Sequence, residues 1–553
     1  MPLHPLIVLS LAHASVPPGS LASPPAREQA TPLPPSLHYW QPVRERVIPE
    51  RLSVDLCVYG GTSSGVIAAV QARRDGRTVV LVAPEAHLGG LTTGGLTWTD
   101  FGNKGAIGGL AREFYRRVGR KYGADEEWTF EPKVAEQAFQ EMIGEARVPV
   151  RLGHFLRSVR LQGGRIAALT TERELTVSAR VFIDATYEGD LMAKSKVTCT
   201  VGREDCSVYD ETLNGVQLRD KHQIDHPVSP YVAEGDPKSG LLPGISPGRL
   251  APNCTGDRAV QAYCFRMTLT QDPENRIPFP KPEGYDPREY ILLSRYLRHG
   301  WDWVFGKFDP IRGGKVDKNN HGGISTDFIG RNHAWPEADY RTREKLFRQH
   351  VVYQQGLMWF LANDPGVPEE CRRRMSTWGL CRDEFTDTGG WPRQLYVREA
   401  RRMVSDYVLT EHDCRGTRRA PDSVGLGSYG MDSHNCRRVV VDGMVKNEGD
   451  VQVGGFPPYP ISYRAITPRR GECANLLVPV CVSSSHIAYG SVRMEPVFMV
   501  LGQSAAVAAG QAMDGDGIVQ NVDYPKLRER LLALGQVLAW PAAPFPPPPE
   551  RGE

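Results

Sequence analysis

The hydrophobic pattern along the chain changes character several times. "VDLCVY" (Val54 to Tyr59) reads as a buried strand, the run from Gly60 to Gly65 breaks it, and "VIAAVQARR" continues as a helix ending in arginines. A second strand, "RTVVLV", ends at Val82, and a third, "ARVFIDAT", ends near Thr186. Far downstream, "CANLLVPVCVS" is again strand-like, and a helix of small residues follows, its start marked by Glu495-Pro496. Between about 200 and 440 the periodicity fades and Trp, Tyr, Pro and Asp accumulate, the texture of a substrate-facing region built from long loops. The pattern predicts an α/β nucleotide-binding module whose two outer parts enclose an insertion.

A chain of 553 residues is too long for one simple core. The expected organisation is a signal segment and Pro-rich linker over 1–44, the first part of the nucleotide domain over 45–200, an inserted substrate domain over 201–440, the second part over 441–535, and a Pro-rich tail over 536–553. Hydrophobic residues make up 41% and charged residues 24%, ordinary for a soluble globular protein, and a net charge of +2 calls for neither nucleic acid nor an anionic membrane. The 11 cysteines show no metal-ligand spacing, so no metal site is expected; Cys199 with Cys206, or Cys371 with Cys381, are close enough to pair, with free thiols the equal alternative. The most apolar stretch, "PVFMVLGQSAAVAAGQAM", is interrupted by Gln503 and is too short to span a membrane. "LIVLSLA" followed by Ala12-His13-Ala14 has the form of a secretory signal, but no Lys or Arg precedes it. With a signal the protein is extracytoplasmic; without one it is cytoplasmic.

The glycine turn carries the first chemistry. A strand feeding a helix through glycine presents open helix N–H groups to a pyrophosphate. Gly60, Gly61, Thr62, Ser64 and Gly65 form that turn, with Thr62 where the usual middle glycine stands. The acid expected at the end of the second strand, for the adenosine ribose, is replaced by Ala83, and the nearest acid is Glu85. "HLGGLTTGGLTWTDFG" follows, with Gly89, Gly90, Thr93, Gly94 and Gly95 letting backbone approach a ligand closely; a flavin dinucleotide uses such a segment and a nicotinamide one does not need it. The third strand ends in Asp184 and Thr186, with Asp190 following, and resembles the strand that returns to the cofactor in two-dinucleotide-fold flavoproteins. In the last helix, Gly502, Ala505, Ala506 and Ala509 keep one face thin enough to approach a planar ligand, and Arg493 and Glu495 stand at its start.

"GGTSSGVIAA", "HLGGLTTGGLTWTD", "FIDATYEGDLMA", "MDSHN" and "SSSHIAYGSVRMEPVFMVLGQSAAVAA" together resemble the FAD-dependent oxidoreductase family, a branch of the glutathione-reductase-like fold that includes many uncharacterised bacterial flavoproteins. The resemblance spans Asp55 to Ala512, weakest in the middle. It implies a Rossmann-like two-dinucleotide-binding α/β fold, non-covalent FAD, a small-molecule substrate and an unidentified electron acceptor. It places Trp98, Asp100 and Arg493 near the flavin ring.

Hydride removal from an alcohol or amine carbon calls for a nearby base, and histidine titrates in the useful range. His486 is the first candidate and His434 the second, with Asp432 beside it as a substrate contact. His87, close to the glycine pairs, lacks the offset of a histidyl-flavin link. Tyr396, Ala400, Met403 and Tyr407 space as one helical face, which would let Arg398 and Arg401 clamp an anion, or place Arg402 against Asp406 on an outer face. The leading function is oxidation of a polar hydroxylated or amine-bearing molecule, a carbohydrate among them. One alternative is reduction of an activated double bond in an anionic substrate. Another is a carbohydrate- or surface-binding protein with a flavin fold and no turnover.

Overall fold

The computed structural model describes residues 30–541, so the signal-like segment and the Pro-rich tail beyond 541 lie outside the described residues. Strand β1 (Glu50–Tyr59) leads through the glycine turn into α1 (Ser63–Arg74), and β2 (Val79–Val82) lies parallel beside β1, with Leu56 opposite Val79. Helices α2 (Gly109–Lys121) and α3 (Pro132–Ala146) precede β3 (Val150–Arg151), β4 (Leu156–Gln162), β5 (Arg165–Thr171) and β6 (Leu175–Asp184). The sheet order is β3-β2-β1-β6-β5-β4, with β1, β2, β3 and β6 parallel. Tyr59 stands opposite Asp184, so the glycine turn and the end of β6 meet at one sheet edge.

A five-stranded antiparallel sheet follows, built from β7 (Met267–Thr270), β8 (Arg276–Ile277), β9 (Phe308–Ile311), β10 (Lys315–Lys318) and β11 (Gly379–Cys381) in the order β9-β10-β7-β11-β8. The long helix α4 (Tyr340–Asn363) lies between β10 and β11 in sequence. The chain then returns to the first sheet, where β12 (Leu476–Leu477) pairs parallel with β6. Helix α5 (Glu495–Asp514) closes the nucleotide-binding part, with Pro496 in its first turn.

The thin face of α5 serves a different purpose from the expected one. It packs on α1, and a β-carbon at Gly502 would stand 2.3 Å from the Ser64 carbonyl oxygen. The helix is therefore a buried core element; 94% of its apolar stretch lies inside the protein. Its first residue fastens three others, because the Glu495 carboxylate accepts hydrogen bonds from Ser63 (2.6 Å), Thr92 (2.7 Å) and Tyr187 (2.8 Å).

Two other expectations are corrected. Neither cysteine pair forms; Cys206 bridges Cys254, and Cys199, Cys371 and Cys381 are free. The backbone decides this, since Arg203 pairs with Asp257 and the Cys206 amide donates to the Cys254 carbonyl, bringing those α-carbons to 5.0 Å. The stretch from Tyr396 to Tyr407 is extended rather than helical, with Arg402–Met403 pairing against Cys199–Thr200. Each arginine there has its own carboxylate: Arg398 pairs with Asp327, Arg401 with Asp190, and Arg402 with Glu399 and Glu204 rather than Asp406. Tertiary ion pairs of this number override a local helical spacing.

The two sheets are tied at β10. The Asp317 carboxylate accepts from the Thr97 and Trp98 amides at 2.9 Å each and pairs with Arg266. Lys315 Nζ sits among Glu131, Asp383 and Glu384 at 2.6–2.7 Å. Those three carboxylates are spaced as metal ligands would be, but the lysine takes the central position.

Candidate active site

A cleft of about 320 Å³ runs along the nucleotide-binding edge, lined by Glu85, His87, Gly90, Thr93, Gly94 and Glu188 among others. Glu85 lies past the strand end where Ala83 interrupts the usual pattern, and its carboxylate accepts from the Gly61 amide at 3.1 Å. Burial raises its pKa. A carboxylate at this place suits ribose hydroxyls, and the first-turn amides of α1 have no acceptors within the helix. Thr62 caps that helix by accepting from the Gly65 amide, and its hydroxyl donates to the Ala185 carbonyl at 2.7 Å. Gly60, at φ +112°, has no room for a side chain, because a β-carbon would stand 2.6 Å from the Ala185 carbonyl carbon. This donor set fits FAD: backbone amides for the pyrophosphate, an acid for the ribose and a glycine-lined floor.

Other predicted cofactor residues hold the frame instead of lining the cleft. Asp184 accepts from the Thr186 amide and hydroxyl and from the Met192 amide, and burial pushes its pKa up to about 6. Asp190 is held by Arg343 (2.6 Å) and Arg401 (2.7 Å), so Arg401 serves this pair and does not reach the substrate side. Gly89 and Gly95 take positive φ, and Gly95 lies against the Arg266 carbonyl, where a β-carbon would stand 2.2 Å from the oxygen. His87 has both ring nitrogens engaged, by Glu136 and Asp387.

A second cavity, of about 780 Å³, gathers five predicted residues from distant parts of the chain: Trp98, Asp100, Arg398, Asp432 and His434. His434 Nδ1 lies 2.7 Å from Asp327, and its Nε2 lies 3.7 Å from Asp432. Burial and Arg398 pull the His434 pKa down, but Asp327 and Asp432 outweigh them and the net direction is upward. Asp432 moves the other way: burial opposes its ionisation, yet His434, Arg493 and Arg398 hold its carboxyl well below the usual range. Asp100 accepts from the Tyr429 hydroxyl at 3.1 Å and is raised, chiefly by burial. Arg493 stands just behind the wall, donating to the Tyr396 hydroxyl (2.7 Å) and the Asp432 carbonyl (2.9 Å).

Sequence reasoning missed Arg266, Tyr396, Tyr429, His222 and His321 as cavity residues. Tyr396 was read only as part of a helical face, and the others stand in regions without periodicity, where the signal was the aromatic and charged texture of the middle.

His486 does not reach this cavity. It is 2% exposed, its Nδ1 is 2.7 Å from Glu399 and its Nε2 is 2.9 Å from Ser433. Burial, then Arg402 and Arg203, pull its pKa down to about 3. It is a structural residue anchoring the strand that carries Asp432. A pH prediction follows from it and from His333 and His350, both drawn down to about 4 chiefly by burial. Unfolded histidines bind protons below about pH 6.5 while these folded ones refuse them, so stability rises with pH across that interval. Buried acids with raised pKa values, Asp184 and Glu188 among them, act in the opposite sense, so the histidines' share is read by comparing variants. His350→Gln should lose less melting temperature than wild type between pH 7 and about pH 4.5, and an unchanged slope would exclude a buried neutral His350.

A parallel sheet with a nucleotide cleft at its strand ends, beside a polar cavity, defines a dinucleotide-dependent oxidoreductase of Rossmann type. The profile of the FAD dependent oxidoreductase family matches residues 55–531, and the chain belongs to that family and binds FAD. Among proteins of curated function there is no match. Solved structures overlap it only in part. L-proline dehydrogenase from P. horikoshii is 13% identical with a TM-score of 0.23, over 28% of this chain and 59% of its own. A flavin-containing monooxygenase from Stenotrophomonas maltophilia is 19% identical with a TM-score of 0.20, over 28% and 43%. The bacillithiol disulfide reductase Bdr from Staphylococcus aureus is 15% identical with a TM-score of 0.19, over 24% and 38%. The matched part is thus less than two thirds of each of these proteins.

Proposed function

We propose that the protein oxidises a polar, hydroxylated or amine-bearing small molecule, a carbohydrate being the best fit, using non-covalent FAD. The observation that supports this most is a set of unpartnered polar atoms at the second cavity. Asp432 Oδ1 is a buried acceptor and Arg398 Nε a buried donor on lining residues, and Arg493 Nε is a buried donor just behind the wall, none with a hydrogen-bond partner among the described residues. Buried polar groups require partners, and a ligand rich in hydroxyls offers both kinds. Trp98, Tyr396 and Tyr429 add apolar faces for a ring.

Bound FAD supplies the hydride acceptor. Asp327 fixes the His434 ring through Nδ1, leaving Nε2 toward the cavity to take the proton from a substrate O–H or N–H. Asp432, ionised beside it, orients that hydrogen. The reading that this is a reductase of anionic substrates has less support. The two guanidinium groups that line the cavity, Arg266 and Arg398, already face Asp317 and Asp327, and Arg493 behind the wall faces Asp432, so none is left as a free anion clamp. The two hydrogen bonds on His87 favour non-covalent flavin.

The test is anaerobic titration of the purified holoprotein with sugars, polyols, alcohols and amines, following the flavin's visible absorbance. Bleaching by a neutral hydroxylated or amine compound is expected. Reduced protein that is reoxidised only by unsaturated carboxylates, with no bleaching across the panel, would favour the reductase instead.

A further inference from the structure

The chain from Thr31 to Val43, ahead of β1, forms no helix or strand, and its course is set by hydrogen bonds to distant residues. The Thr31 amide donates to the Lys281 carbonyl at 2.8 Å, and the Glu283 amide donates to the Thr31 carbonyl at 3.0 Å. The Leu37 amide closes a turn on the Pro34 carbonyl at 2.9 Å, and Ser36 Oγ donates to the Asp387 carbonyl. The Tyr39 and Trp40 amides both donate to one carboxylate oxygen of Glu344, on α4, at 2.7 and 3.0 Å. Trp40 Nε1 donates to Glu172, between β5 and β6, at 2.7 Å. Lys281, Glu344 and Asp387 belong to the region of the antiparallel sheet and Glu172 to the nucleotide-binding part, so the segment joins the two. Pro34, Pro35 and Pro42 restrict the free chain, which lowers the entropy lost in fixing it.

The anchored segment runs beside the cofactor cleft. Leu37, His38, Tyr39 and Gln41 line the cleft of about 320 Å³ together with Glu85 and Phe155. Leu37 is 1% exposed, and the Tyr39 ring stands edge-on to Trp335 at 4.9 Å and to Phe155 at 5.5 Å. The Tyr39 hydroxyl accepts from Arg343 at 3.3 Å, the same arginine that holds Asp190. Protein interiors are close-packed, and a gap costs stability unless something fills it. Here the segment is held at four places and still leaves a ligand-sized space against the nucleotide-binding edge.

We infer that residues 36–43 belong to the FAD site, as a strap that encloses the cofactor and sets how fast it leaves. The inference rests on the placement of FAD in this cleft and not on the substrate reading. Hydrogen bonds to an ionised carboxylate are the strong kind, so those on Glu344 and Glu172 hold the strap shut, and FAD leaves when they break. The strap therefore acts mainly on the rate of release.

The test follows FAD release from the holoprotein after dilution, by the flavin retained after rapid desalting at timed intervals. Glu344→Ala combined with Trp40→Phe should speed release at least tenfold. The rise in melting temperature that FAD gives should shrink in the same variant. An anchor that only stabilises the fold would lower the melting temperature equally with and without FAD and leave release at the wild-type rate; that result would overturn the strap. Should the double variant not fold, Trp40→Phe alone, which removes one donor from a half-buried ring, should still speed release at least threefold. Wild-type release in these variants, with FAD lost from Gly65→Ala, would remove the strap and keep the cleft. FAD retained by Gly65→Ala would remove both.

Discussion

Replacing His434 with Asn should lower turnover by about 10²- to 10⁴-fold, the usual contribution of a positioned general base, while FAD stays bound. The side chain touches no part of the nucleotide cleft, so visible absorbance should match wild type. The pH profile adds a second readout. A base works in its neutral form, so kcat/KM should fall on the acid side. Because Asp327 and Asp432 lift the His434 pKa, that fall should begin above the ordinary histidine range. Asp327→Asn removes one of the two carboxylates and should move the acid limb to lower pH. A His434→Asn variant with unchanged turnover would remove this residue from the chemistry, whatever the substrate proves to be.

Gly65→Ala should give a protein without FAD. A β-carbon at Gly65 would lie 2.0 Å from the Gly60 carbonyl oxygen, and that oxygen belongs to the turn itself. The backbone must open to admit a methyl group, and the open N–H groups of the turn lose their alignment. A tenfold loss of affinity needs only about 1.4 kcal/mol, less than the cost of a backbone overlap this close. Equilibrium dialysis against FAD should show at least that loss. Gly144→Ala is the matched control: it lies in α3, its β-carbon would meet nothing within 4 Å, and alanine favours the helix. Equal FAD affinity in both variants would mean that the turn does not carry the cofactor.

The nucleotide-binding part was legible because its signals are local. A strand, a glycine turn and a helix follow one another within about twenty residues, and each has its own pattern. The cavity residues Trp98, Asp100, Asp432 and His434 were legible for a related reason, since each sits in a short motif with the resemblance behind it. Arg398 lines the cavity although the helix that was to carry it is an extended segment, and its partner is Asp327. His486 shows the opposite failure. It does stand just before the helix that begins at Glu495, but only the tertiary structure shows Glu399 and Ser433 closing both ring nitrogens. The Cys206–Cys254 bridge joins cysteines 48 positions apart and leaves no trace in local spacing.

The Lys315 cluster bears on how substrate enters. Glu131 precedes α3 of the nucleotide-binding part, whereas Lys315, Asp383 and Glu384 belong to the region of the antiparallel sheet. A hinge opening of one part against the other would pull the ammonium from Glu131 and the Trp98 amide from Asp317 in the same stroke. Breaking buried charged contacts of that kind costs several kcal/mol, which makes wide gating slow and rare. Exchange at the His434 cavity would then rely on small movements of its lining, Lys221 and His222 included. Product release is therefore expected to follow loop and side-chain motion, with the two sheets acting as a fixed frame.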